Sequence, residues 1–80
     1  MKEISAAKVI DVINSNIEEI SLTPEQLDVN LTELGMDSYA FIRIIVALEE
    51  AFDCEIPDSK LIISEMDTVE KIIAVLQEIS

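Results

Sequence analysis

Downstream of Asp37 the apolar residues Phe41, Ile44, Ile45, Leu48 and Phe52 recur at helical spacing on one side, while Tyr39, Ile42 and Val46 recur on the other. At about 100° per residue this is a helix that is apolar on two faces. A domain of 80 residues leaves much of its surface in water and seldom encloses a helix all round. One face is therefore expected to enter the core. Unless the shorter helices cover both, the second stays at least partly wet, and a wet apolar strip marks a docking surface.

The residues that lead into this helix are Leu34-Gly35-Met36-Asp37-Ser38-Tyr39, and Gly35 is the single glycine of the chain. Glycine frees the backbone for a tight turn. Asp37 and Ser38 are both good helix-starting residues, so the helix begins at one or the other. Ser38 then has two readings. It either caps the helix, the common use of such a serine, or it presents a hydroxyl beside the wet apolar strip.

The remaining chain reads as helices joined by pinned loops. Ala6, Val9, Ile10, Ile13 and Ile17 predict a first amphipathic helix from Glu3 to about Glu19. Residues 21–37 form a long connection in which Thr23-Pro24-Glu25-Gln26 predicts one helical turn, and Leu27, Val29, Leu31 and Leu34 are expected to hold the loop on the core. Pro57 places a turn over 53–57. Asp58 to Ile62 predicts a short helix capped by Asp58. Val69, Ile72, Ile73, Leu76 and Ile79 predict a last helix, capped either at Asp67 with Glu70 as its capping-box partner or at Thr68. The expected fold is all-α, an antiparallel bundle of three main helices plus one short helix, with residues 1–80 as a single domain.

Composition narrows the chemistry. Five basic residues against seventeen acidic ones give a net charge of −12, a field that repels nucleic acid and anionic membrane surfaces and draws the protein towards basic patches on partners. The same acidity also serves solubility alone. Without histidine, Ser-His and Cys-His mechanisms and histidine metal sites are closed. One glycine leaves no phosphate-cradling glycine loop. The loop beginning at Asp28 has Glu33 where an EF-hand needs glycine and Tyr39 where it needs glutamate. Cys54, the only cysteine, lies between Asp53 and Glu55, whose charge disfavours a thiolate. No stretch has the length of a membrane span. A cytoplasmic, non-enzymatic monomer is the expectation.

Four segments in order, Leu34-Gly35-Met36-Asp37-Ser38, Ala47-Leu48-Glu49-Glu50-Ala51-Phe52, Ile56-Pro57-Asp58 and Asp67-Thr68-Val69, resemble the acyl carrier proteins and their peptidyl-carrier relatives. The likeness implies that Ser38 carries a covalent 4′-phosphopantetheine derived from coenzyme A. The thiol of that arm would hold acyl, aminoacyl or peptidyl groups as thioesters, in fatty-acid, polyketide or nonribosomal-peptide synthesis. It also implies that Asp37 engages the phosphopantetheinyl transferase and that loading and downstream synthase enzymes dock nearby. Tyr39, Ile42, Arg43 and Val46, with Glu49 and Glu50 at the helix end, are the candidate partner-binding residues. Two departures stand out: Tyr39 replaces the usual leucine or methionine, and Arg43 replaces an acid common in fatty-acid carriers. Both point to a specialised pathway. The competing expectation is an unmodified acidic interaction module with a carrier-like fold.

Overall fold

The computed structural model describes residues 4–79. They form α1 (Ala6–Asn16), α2 (Ser38–Phe52) and α3 (Val69–Ile79), with 3₁₀ turns at Leu31–Leu34, Asp58–Lys60 and Ile63–Glu65 and no strand among the described residues. The all-helical bundle predicted from apolar spacing is the fold observed. α1 packs against both α2 and α3. It runs antiparallel to α2: Lys8 near its start lies 4.9 Å from the ring centre of Phe52, and Asn16 at its end accepts a hydrogen bond from Arg43 Nη2 at 2.6 Å.

The core is continuous through all three helices. Val9, Ile13, Ile44, Leu48, Val69, Ile72 and Leu76 are sealed within it, joined by Leu31 and Met66 from the connections. All five residues of the inward stripe of α2 are buried. Among the described residues nothing encloses the opposite face, where Tyr39 is 73 %, Ile42 51 % and Val46 48 % exposed. No helix among the described residues is long and apolar enough to cross a membrane.

Several local expectations are corrected. Glu3 lies outside the described residues, and α1 begins at Ala6 with Ser5 as its cap and ends at Asn16, three residues short of Glu19. Ile17 is buried as the spacing suggested, and Ile20, which the stripe did not include, is buried too, yet both reach the core from non-helical backbone, because the chain turns back at this point. Asn14 holds that reversal, giving Nδ2–H to Leu22 O (3.0 Å) and accepting Leu22 N–H at Oδ1 (2.8 Å). Thr23 to Gln26 is a single β-turn rather than a helical turn, closed by Gln26 N–H to Thr23 O and by Thr23 N–H to Gln26 Oε1. Asp58 opens a 3₁₀ turn that ends at Lys60, and no side chain caps it. Thr68, not Asp67, caps α3, its Oγ1 accepting Lys71 N–H at 3.2 Å.

Candidate functional site

The segment that delivers Ser38 is built from the backbone outward. Asn30 caps the Leu31–Leu34 turn through Thr32 N–H, and Gly35 ends it at φ 112°, a left-handed conformation that favours glycine. Met36 N–H returns to Leu31 O at 3.0 Å while its side chain plugs into the core. This leaves Asp37 extended at the mouth of α2, where Oδ1 accepts Ala40 N–H at 2.8 Å. Asp37 is thus the cap, and the capping reading of Ser38 falls away. Ser38 is the first helical residue and is exposed.

The far end of the segment is fastened to the start of α3. Leu31 N–H bonds to Asp67 O (2.7 Å), Glu70 N–H to Leu27 O (3.0 Å), and Asn30 Nδ2 to Asp67 Oδ2 (3.2 Å). Lys71 Nζ completes the pairing of the buried Asp67 carboxylate at 3.0 Å. Sequence reasoning missed Asn30 and treated Asp67 only as a possible cap. Asn30 stands between Val29 and Leu31 and Asp67 follows Met66, and nothing in either setting reveals a bond spanning 37 positions.

The other candidates divide into two groups. Tyr39, Ile42, Arg43, Val46 and Glu50 are all exposed on α2, continuing from Ser38. Arg43 lies against Tyr39, its guanidinium 5.9 Å from the ring centre. Glu49 is half-buried and accepts Ile56 N–H at Oε2 (2.8 Å), so it fastens the turn after α2.

A phosphodiester fits this position. The open end of α2 offers the unsatisfied N–H groups and positive dipole end that favour an anion, and an exposed Oγ leaves room for a long substituent. The phosphopantetheine attachment site family matches residues 6–76. The chain belongs to that family. Its cofactor is 4′-phosphopantetheine, held covalently, and its role is that of a carrier. The carrier is 34 % identical over 73 residues to the D-alanyl carrier protein of Lactobacillus helveticus, covering 89 % of each chain. It is 36 % identical over 67 residues to the acyl carrier protein of Campylobacter curvus, covering 78 % of this chain and 87 % of that one. Against the acyl carrier protein of Syntrophobacter fumaroxidans it is 42 % identical over 53 residues, 64 % of this chain and 63 % of the other. No solved structure gives a significant match.

Proposed function

We propose that residues 1–80 act as one carrier domain in which Ser38 bears the phosphopantetheine, and that the chain shuttles acyl or aminoacyl groups between enzymes of a specialised biosynthetic pathway. The observation that supports this reading is the exposed hydroxyl of Ser38 at the first position of α2, freed from capping by Asp37. When attached, the arm supplies reach and a terminal thiol on which cargo is held as a thioester. The chain's own residues then need to present, not to catalyse.

In the attachment step Ser38 loses its proton, Oγ bonds to the phosphorus that bears the pantetheine, and the pyrophosphate bond of coenzyme A breaks with the nucleotide as leaving group. Asp37 engages the transferase that performs this step. Tyr39, Ile42, Arg43, Val46 and Glu50 form the strip read by loading and downstream enzymes, with Glu49 shaping its end. The names of the matching relatives, acyl carrier and D-alanyl carrier, support both classes of cargo.

The test is incubation with coenzyme A and a phosphopantetheinyl transferase. Intact mass is expected to rise by one phosphopantetheine, while Ser38→Ala stays at its starting mass. An unchanged wild-type mass with an active transferase, or a modified Ser38→Ala, would overturn the assignment.

A further inference from the structure

Four basic residues of the chain fall among the described residues, and two of them pair with carboxylates. Lys60 pairs with Glu78 (2.8 Å) and Lys71 with Asp67 (3.0 Å), while Lys8 lies over Phe52 at the far end of α2. Arg43 is the base exposed on the strip that continues from Ser38. Its Nη2 donates to the carbonyl of Asn16 at 2.6 Å and its guanidinium lies against Tyr39, but among the described residues no carboxylate pairs with it. A guanidinium carries five donors, so one bond to a carbonyl leaves the charge and most of the fork unused. The two contacts fix its place and lower the entropy lost when an anion arrives.

This cation is set into a groove. Asn16 at the end of α1 and Ile42, Arg43, Val46, Ala47 and Glu50 of α2 line an open depression between the two helices. Its floor is apolar, with Ile42 and Val46 about half exposed. Arg43 stands at one end and Glu50 at the other, about 10 Å apart along the helix axis at about 1.5 Å per residue. On a chain with a net charge of −12, a uniformly basic partner is drawn to the protein as a whole but repelled at Arg43.

We infer that the enzyme that loads this carrier seats an apolar side chain between Ile42 and Val46, with a carboxylate over Arg43 and a basic group over Glu50. The inference rests on the carrier reading and adds to it the charge order of the partner. Field and groove divide the work: the acidic surface as a whole speeds encounter, and the groove sets which way round the partner docks. The guanidinium is a positioning group with no part in the chemistry at the thiol.

Holo-protein is incubated with ATP and soluble extract of the source cell, and acyl gain on the arm is read by intact mass. The loading enzyme is then purified by that activity. If the wild-type holo-protein never gains cargo, the carrier reading fails and this inference with it. If it does, Arg43→Glu, Arg43→Gln and Glu50→Lys are compared as substrates after each is converted fully to the holo form. Arg43→Gln removes the Asn16 contact without adding charge, and so separates the structural effect from the electrostatic one. Arg43→Glu is expected to load at least about tenfold more slowly than Arg43→Gln, through KM, with added salt narrowing the gap. Glu50→Lys is expected to load more slowly as well. Arg43→Glu loading as fast as Arg43→Gln, or faster, would overturn the inference, because no carboxylate would then face this position.

Discussion

Gly35 and Asp37 show how single residues set the presentation of Ser38. At Gly35 an added Cβ would meet only Glu19 Cβ at an ordinary 3.9 Å, so the cost of substitution lies in the backbone, held at φ 112°. Gly35→Ala is expected to destabilise by about 1–2 kcal/mol, a fall in melting temperature of about 4–8 °C per kcal/mol for a domain this small, read by thermal unfolding. Asp37 has two proposed duties that substitutions separate. Asp37→Ala removes the side chain that holds Ala40 N–H and is expected to cost about 1 kcal/mol. Asp37→Asn keeps a capping oxygen and is expected to melt close to wild type. If the charge of Asp37 engages the transferase, Asp37→Asn is nevertheless modified more slowly, and a modification time course checks this.

At the scale of elements, the strong periodic stripes were legible and the clamps between segments were not. The inward residues of α2 and Val69, Ile72 and Leu76 of α3 could be placed from spacing alone because burial and helical period coincide there, whereas Ile73 and Ile79 are only half-buried and the buried Val75 was not singled out. At Ile17 and Ile20 burial and period separate: both are buried, but on backbone that has left the helix. What bends the chain there is Asn14 gripping Leu22 across eight positions, a pairing invisible to any local pattern. The motif through Ser38 was legible as a turn and a helix start, whereas its fastening to Asp67 was not, for the same reason. Asn14→Ala strands the N–H and C=O of the buried Leu22 and is expected to cost about 1–3 kcal/mol, measured as a lower denaturation midpoint with an unchanged slope. Loss of protection from hydrogen exchange at Leu22 N–H ahead of the α2 amides would assign the effect to this reversal.

For the whole molecule the governing quantity is charge. Seventeen acids against five bases leave a net −12 that strains the compact state through self-repulsion. The ion pairs Lys60–Glu78 and Lys71–Asp67 work the other way, but the first is solvent-exposed and weak, and two pairs offset little of the whole field. Added salt screens both, and the larger repulsive sum dominates, so melting temperature is expected to rise as sodium chloride increases from low concentration to about 0.15 M. A flat or falling curve would show that the pairs matter more than the field. The hydrogen bond to Glu78 raises the Lys60 pKa above its ordinary 10.5. Its small contribution is complete below the unfolded value and fades only as pH rises through the folded one, so this pair does not weaken between pH 7 and 9. In the proposed function the same acidic field draws enzymes to the molecule while the α2 strip beside Ser38 orients them. That depends on the arm being attached where the strip begins. The most direct measurement is peptide mapping by tandem mass spectrometry of the protein isolated from cells that possess a phosphopantetheinyl transferase. One phosphopantetheine is expected, on the peptide that contains Ser38, released from Oγ on fragmentation. A bare Ser38 in those cells, or an arm on any other hydroxyl, would contradict it.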